Sequence, residues 1–150
     1  MNNKKHILEF ITLLVVTVLL FSCSKEQKKY DGDPQLAFSE NNYSFNISSS
    51  TSSISIPVQL IANKWHNVTG EITADQSSTA LAAITFNNTF SMPSGEYSTP
   101  IIINIDYAIL PDNESTLILQ LSSNMKVAKY YGTATITLIK ESDNNETDSN

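Results

Sequence analysis

The chain has 150 residues, of which 16% are charged, and its formal net charge at pH 7 is −6. It contains no arginine, the residue best suited to paired hydrogen bonds with phosphate groups and guanine edges. Because an acidic chain without arginine binds nucleic acid poorly, a nucleic-acid-binding role is not expected.

The first residues predict an export signal. Lys4 and Lys5 precede an apolar run over residues 10–21. A membrane-spanning helix needs about 20 apolar residues, so this run is too short to cross a bilayer. A positive start followed by a short apolar run is typical of a cleaved secretory signal.

The end of this run resembles a lipoprotein cleavage site. The letters "LFSC", residues 20–23, are similar to the lipobox of bacterial lipoproteins, in which the cysteine is acylated and the signal is removed before it. The resemblance implies a signal peptide over residues 1–22 and membrane attachment through lipid on Cys23. Cys23 is the only cysteine and cannot form an internal disulfide, so lipidation would explain it. The alternative is an ordinary cut that leaves Cys23 as a free thiol.

The residues after Cys23 bear on localisation. No aspartate follows the cysteine directly, which in many Gram-negative bacteria favours the outer membrane over the inner one. Lys25 and Glu26 resemble part of the signal that sends Bacteroidota lipoproteins to the cell surface. We therefore expect an outer-membrane lipoprotein, with the cell surface favoured over the periplasmic face.

The rest of the chain predicts one all-β domain. Residues 23–34 are interpreted as the lipidated cysteine and a tether, residues 35–140 as a β-sandwich, and residues 141–150, which lack apolar side chains, as a disordered acidic tail. Ile54, Ile56 and Val58 alternate with mostly polar neighbours, as in a half-buried strand, and Pro57 on the polar side suggests an edge or a bulge. The seven predicted strands cover residues 35–47 (broken at Asn41 and Asn42), 53–61, 68–74, 84–91, 99–106, 115–122 and 132–140.

Three of these segments resemble a known family. They read "SMPSGEYSTPIIINI", "LPDNESTLILQLSS" and "GTATITLI", and they are similar to Calx-beta domains and to related immunoglobulin-like modules of Bacteroidota lipoproteins. The short "SSTA", residues 77–80, resembles another segment of that family. The resemblance implies a single seven-stranded, immunoglobulin-like antiparallel β-sandwich.

The resemblance also raises the question of calcium. Members that bind calcium carry several acidic residues in the loop before the leucine-rich strand, where this chain offers Asp106, Asp112 and Glu114. Two other acidic positions of the family have no counterpart here, and calcium takes six to eight oxygen ligands. No cofactor is therefore expected, and calcium bound by these three residues is kept as the alternative.

Strand parity places an aromatic surface at one end of the predicted sandwich. The loops over residues 62–67, 92–98 and 123–131 share this end and carry Trp65, His66, Tyr97, Tyr130 and Tyr131. Such side chains stack on sugars or anchor a protein partner, and neighbouring lysines would also suit lipid headgroups. The alternative is that these aromatics cap the core. Acidic residues gather at the opposite end.

The sequence offers no catalytic set. His66 is the only histidine beyond the signal, and the chain has four glycines without a phosphate-binding loop. We expect no enzyme, but a lipid-anchored binding or scaffolding protein of the cell envelope that holds a glycan or a neighbouring surface protein. The alternatives are a calcium-stabilised adhesion module and, more remotely, a small glycan-active enzyme.

Overall fold

Two five-stranded β-sheets enclose the core of the protein. The computed structural model describes residues 32–62, 67–111 and 113–142. The first sheet has the strand order β5-β7-β3-β1-β9, and the second has the order β2-β10-β8-β4-β6. The strands of the described residues are β1 (Gln35–Phe38), β2 (Asn42–Ile47), β3 (Ser53–Ile61), β4 (Val68–Ala74), β5 (Ile84–Phe86), β6 (Thr89–Met92), β7 (Ser98–Ile105), β8 (Glu114–Ser122), β9 (Lys126–Val127) and β10 (Thr133–Lys140).

The all-β sandwich is confirmed, but the strand count is different. The described residues form ten strands where the sequence predicted seven. The predicted strand 35–47 crosses from the first sheet to the second at its expected break and becomes β1 and β2. The predicted strand 84–91 also changes sheets and becomes β5 and β6, with Asn87 and Asn88 between them. The two-residue β9 had no counterpart in the prediction.

The sequence analysis predicted a wholly antiparallel sandwich, and this prediction is wrong. β1 pairs in parallel with β9, and β2 pairs in parallel with β10. The reason is that the chain changes sheets twice on the same side, from β1 to β2 and from β9 to β10, without reversing direction. All other strand pairs are antiparallel.

The core follows the alternation of the strands. In β3 the inward positions are buried and most of the others are exposed, in agreement with the predicted period of two. The largest fully buried side chains come from both sheets: Phe38, Leu36, Ile47, Ile56, Ile72, Met92, Ile103, Leu117, Leu119, Ile136, Leu138 and Val58. The sandwich therefore has one continuous apolar core.

Pro57 is not at an edge or a bulge. It lies in β3, the middle strand of the first sheet, and faces Pro100 of β7. The carbonyl oxygen of Pro57 accepts a hydrogen bond from the N–H of Ser39 on the other side of the strand. The two prolines thus oppose each other without needing a hydrogen bond between them, so neither missing N–H interrupts the pairing of β3 with β7.

The sandwich has two distinct ends. At the first end, β1 and β4 begin and β3 ends, and an exposed ion pair joins Lys126 Nζ to Asp33 Oδ2 at 3.3 Å. At the far end, β2 and β10 finish side by side, with Lys140 opposite Ile47. In the described part of the chain, no helix has the length and apolarity needed to cross a bilayer.

Candidate functional site: a polar cleft on the second sheet

A cleft of about 820 Å³ lies on the outer face of the second sheet. Strands β4, β6 and the end of β8 form it, together with the residues that follow β8. Its described lining consists of five residues with hydroxyl side chains, two asparagines, one glutamate, one phenylalanine and one glycine. The cleft is therefore polar and carries a single ionisable group.

Glu71 lies at the centre of this cleft. On β4, Val68 and Ile72 face the core, so Glu71 is exposed on the other side of the strand. It stands opposite Ser122 of β8 on one side and Thr89 of β6 on the other. Directly opposite residues have Cβ atoms about 4.5–5.5 Å apart, so the carboxylate lies between two hydroxyl groups.

Hydrogen bonds hold the rim of the cleft. The hydroxyl of Ser123 donates to the carbonyl oxygen of Thr69 at 2.8 Å and ties the end of β8 to β4. The side-chain oxygen of Asn87 accepts from the backbone N–H and the hydroxyl of Thr89, both at 3.2 Å. These polar groups are fixed before a ligand arrives, which lowers the entropy cost of binding.

Gly70 and Phe90 lie beneath the outward side chains of the cleft, since both occupy core-facing positions of their strands. Gly70 faces Phe90 across the β4–β6 pair. A Cβ atom on Gly70 would lie 2.5 Å from Cζ of the Phe90 ring, closer than real contacts allow. The ring therefore lies over the glycine on the core side of the sheet and takes the place of a side chain there, with Phe90 only 8% exposed.

The cleft continues around the edge of the second sheet. A second hollow of about 290 Å³ shares Asn87, Thr89, Phe90 and Ser91 with it and extends onto β7, where it adds four residues: Thr99, Pro100, Ile101 and Ile102. The Ile102 side chain is 47% exposed. Together the two hollows form an elongated surface that changes from polar to apolar across β6.

The lining limits the chemistry of a ligand. Glu71 is the only charged side chain among the described lining residues, and neither lysine nor arginine is among them. Hydroxyl, amide and carboxylate groups together both donate and accept hydrogen bonds. Such a lining suits a neutral ligand rich in hydroxyl groups and disfavours an anion.

The predicted tyrosines do not meet in one cluster. Tyr97 lies beside β3, where its carbonyl oxygen accepts from the N–H of Leu60 at 2.9 Å. Tyr130 and Tyr131 follow β9, and the carbonyl oxygen of Tyr131 accepts from the N–H of Phe38 at 2.7 Å. In the strand order, β3 and β1 lie between these two places. Tyr130 is the most exposed of the three, at 75%, and Lys129 Nζ lies 5.6 Å from its ring centroid.

Several predicted residues lie outside the described part of the chain. They are Trp65 and His66 of the predicted aromatic surface, Asp112 of the calcium candidates, and Cys23 with most of the tether. The acidic tail from residue 143 onward also lies outside it.

The other two calcium candidates lie near the far end. Asp106 follows β7 and its side chain accepts a hydrogen bond from the N–H of Ala108 at 3.0 Å. Glu114 begins β8 in the other sheet, opposite Ile139. The described residues contain no group of three acidic, histidine or cysteine side chains that could hold a metal ion.

A lysine at the end of β10 contacts the same loop. Lys140 Nζ donates to the carbonyl oxygen of Leu110 at 3.0 Å and lies 4.8 Å from the ring centroid of Tyr107. This ammonium group brings a positive charge to the segment between Asp106 and Glu114. A second cation nearby would be repelled by it.

Among the acidic residues that the structure describes, Asp75 has a perturbed pKa. The hydroxyl and then the backbone N–H of Ser77 hydrogen-bond to its carboxylate and hold its pKa below the ordinary value of 3.8. The hydroxyl contact is 2.7 Å, and Gln120 Nε2 donates to the other oxygen at 3.1 Å. These bonds fold the turn after β4 onto β8, so the role of Asp75 is structural.

Sequence reasoning missed the cleft because alternation predicts only which side chains face out. Alternation along the predicted strand 68–74 places Gly70 on the same side as Val68 and Ile72, which face the core. A glycine within a strand often marks a place where another group approaches closely, and here that group is Phe90. Gly70 was therefore the one feature of the sequence that could have drawn attention to this part of the sheet.

Comparison with known proteins shows the fold but no family. No protein-family model matches the sequence, and no curated protein matches it significantly. The apo form of the Calx CBD1 domain matches the structure with a TM-score of 0.59 and 13% identity, over 74% of this chain and 100% of that one.

Two further solved structures share the fold. A candidate carbohydrate-binding protein from Bacteroides ovatus has a TM-score of 0.59 and 12% identity, over 72% of this chain and 37% of that one. The calcium-binding domain CBD12 of CALX1.1 has a TM-score of 0.56 and 17% identity, over 71% of this chain and 44% of that one. This chain thus spans less than half of either protein. At such identities the similarity shows a Calx-beta-like fold, as the sequence segments had implied, and nothing beyond the fold.

Proposed function

We propose that this protein is a lipid-anchored, non-catalytic binding module of the cell envelope, and that the polar cleft holds a neutral glycan. The observation that carries the proposal is the lining of hydroxyl and amide groups around Glu71. Sugar hydroxyls donate to carboxylate and amide oxygens, and they accept from hydroxyl and amide donors. The fold shared with the candidate carbohydrate-binding protein from Bacteroides ovatus supports the proposal.

The shape of the surface suggests an oligosaccharide. The cleft and the hollow beside β7 share four residues, so a ligand longer than one sugar would cross β6 and contact Ile102. The carboxylate of Glu71 would disfavour glycans that carry uronic acids or sulfate, because like charges repel.

The test is a glycan array probed with the full chain and with Glu71→Ala. A hydrogen bond to a charged group contributes about 1.5–3 kcal/mol, so the variant should bind its best glycan about 10- to 100-fold more weakly. Thr73→Ala is the matched control, because Thr73 is the next outward residue on β4 and lies outside the cleft. Equal binding by all three proteins would show that the cleft is not the site.

The aromatic surface predicted from the sequence remains a second proposed place for a glycan or a protein partner. Exposed Tyr130 supports it. If Trp65→Ala or Tyr130→Ala abolishes glycan binding while Glu71→Ala leaves it intact, the ligand binds there and the cleft proposal fails. Hydrolysis of any glycan that depends on Glu71 would overturn the non-catalytic reading.

The anchor is proposed from the lipobox resemblance. Lipid on Cys23 would hold the protein at the outer membrane, with residues 24–34 as the tether. Cys23→Ser should therefore move the protein from the membrane fraction to the soluble fraction, as measured by cell fractionation. A variant that stays with the membrane would contradict lipidation, and external protease on intact cells would report which face carries the protein.

A calcium-stabilised structural module is the second candidate. The Calx-beta-like fold and the carboxylates of Asp106 and Glu114 favour it. If it is correct, calcium should raise the melting temperature of the full chain, and Glu114→Ala should remove that response. A melting temperature that is the same in calcium and in chelator would eliminate it.

A further inference from the structure

β2 is the longest open strand edge in the described part of the protein. It lies at one side of the second sheet, and β10 is its only neighbour among the strands of residues 32–62, 67–111 and 113–142. The other edge strands, β5, β6 and β9, have three, four and two residues, whereas β2 has six. Short edge strands are a common protection against pairing with another chain, and β2 lacks this protection.

β2 also lacks the chemical protections of an edge strand. Its sequence, NYSFNI, contains no lysine, no proline and no charged residue. Charged side chains and prolines usually keep other strands away from an exposed edge. In a chain with a net charge of −6, this uncharged edge is a place where two copies can approach without direct repulsion.

The hydrogen-bond pattern shows which groups of β2 are open. Asn41 accepts from the N–H of Thr135, and Ile47 accepts from the N–H of Glu141, both at 2.8 Å. The odd-numbered residues of β2 therefore face β10, because successive residues of a strand direct their backbone groups to opposite sides. The N–H and C=O groups of Asn42, Ser44 and Asn46 point away from the sheet.

The sequence of this edge is symmetric in chemical type. Around Ser44 it reads asparagine, aromatic, serine, aromatic, asparagine. In an antiparallel pair centred on Ser44, Asn42 of one copy faces Asn46 of the other, and Ser44 faces Ser44. Of the antiparallel registers, this one brings all three open residues of each copy into hydrogen-bonded pairs.

The aromatic residues fit the same register. Tyr43 of one copy faces Phe45 of the other, at non-hydrogen-bonded positions where side chains come closest. Tyr43 and Phe45 pack against the core of their own chain and are only partly buried at the open edge. Within one chain their rings are already stacked, with centroids 6.4 Å apart.

We propose that a second copy of this chain pairs antiparallel with β2, about a two-fold axis at Ser44. The two second sheets then form one continuous sheet across the dimer. A contact between two identical copies about a two-fold axis needs a self-complementary patch. The five residues centred on Ser44 form such a patch, so a second copy of this chain fits the edge.

The first test is the mass of the full chain in mild detergent, measured by analytical ultracentrifugation over a range of protein concentrations. The unmodified chain should be a dimer. Ser44→Lys should be a monomer, because it places two like charges opposite each other, and its exposed position leaves the single chain folded. Ser55→Lys is the matched control: the same change at an exposed position of β3, which should leave the dimer intact.

The second test is disulfide cross-linking in the Cys23→Ser background, where the introduced cysteine is the only thiol. Ser44→Cys should link two copies, because the paired Cα atoms would be about 5.5 Å apart, within the disulfide range. Asn42→Cys alone and Asn46→Cys alone should not link, since equivalent atoms would be about 13 Å apart. A mixture of these two variants should link.

Three results would overturn the proposal. They are an unmodified chain that is monomeric at every concentration, a dimer that survives Ser44→Lys, and a Ser44→Cys variant that fails to link to its own copy. Cross-linking of Ser44→Cys in cells to a different protein, with none to itself, would assign the edge to another partner and would also overturn it.

Discussion

Ser115 is the side chain that fits its surroundings least well. It is 1% exposed, it faces the core opposite Leu138, and its hydroxyl is the buried polar atom without a hydrogen-bond partner among the described residues. A buried hydroxyl without a partner loses its bonds to water and gains none in return. The far end of the core therefore contains a local source of instability.

Ser115→Ala should raise the free energy of unfolding by about 1 kcal/mol, because the unpaired hydroxyl is removed. Urea denaturation measures this change. Ser78→Ala is the control: Ser78 is also buried, but its hydroxyl accepts from the N–H of Ile118 at 2.9 Å, so its loss should lower stability by about 1–2 kcal/mol. Equal losses in both variants would mean that Ser115 has a partner.

The carboxylate of Asp75 makes the stability of the fold depend on pH in the acidic range. Its pKa in the folded state lies below the ordinary value of 3.8, chiefly because the hydroxyl of Ser77 donates to its carboxylate. A lowered pKa contributes stability above the unfolded value, and this contribution disappears as the pH falls through the folded pKa.

Ser77→Ala should raise the pKa of Asp75 toward 3.8, since it removes the main cause of the shift. NMR titration of the side-chain carboxyl carbon measures that pKa. The variant should be less stable than the original chain at neutral pH, and the two should converge in strong acid. An unchanged titration curve would contradict the assigned cause.

At the scale of elements, the strand breaks show what the sequence could and could not predict. The bounds of β3 agree with the predicted 53–61, because inward and outward residues alternate clearly there. The break before β2 was predicted from Asn41 and Asn42. The second break also falls at an Asn-Asn pair, Asn87 and Asn88, where the side chain of Asn87 bonds to Thr89 in place of strand pairing.

The first of these Asn-Asn breaks was predicted. The second was missed, because the apolar residues on both sides of it suggested one continuous strand. At the second break the side chain of Asn87 competes with strand hydrogen bonds for the N–H of Thr89, whereas at the first break the side chains of Asn41 and Asn42 bond to each other. Which sheet each half joins depends on partners far away in sequence, so local pattern alone does not predict it.

The β4–β6 pair gives a prediction for the residues beneath the cleft. Gly70→Ala places a Cβ within 2.6 Å of two ring atoms of Phe90, and the third neighbour is the carbonyl oxygen of Ser122 at 3.1 Å. The ring must move, which should lower stability by about 1–3 kcal/mol in chemical denaturation. Adding Phe90→Leu to Gly70→Ala should restore part of this loss. If the stability losses of Gly70→Ala and Phe90→Leu simply add in the double variant, the Phe90 ring and Gly70 do not interact.

At the scale of the whole molecule, the composition predicted an all-β protein but did not locate a functional site. The polar outer faces, the single domain interpretation and the sandwich follow from alternation over whole strands. The cleft depends on how the chain leaves the first sheet after β5 and joins the second sheet as β6. This change of sheet is not encoded in a contiguous motif, so Thr69 and Glu71 resemble the outward residues of any other strand.

The parallel pairing of β2 with β10 has a mechanical consequence. The chain enters the sandwich at the first end through β1 and leaves it at the far end through β10. A force that pulls these two ends apart loads the β2–β10 hydrogen bonds in shear, so that the whole row resists together and does not unzip one bond at a time. Single-molecule stretching between residues 33 and 141 should therefore give one abrupt, high-force rupture.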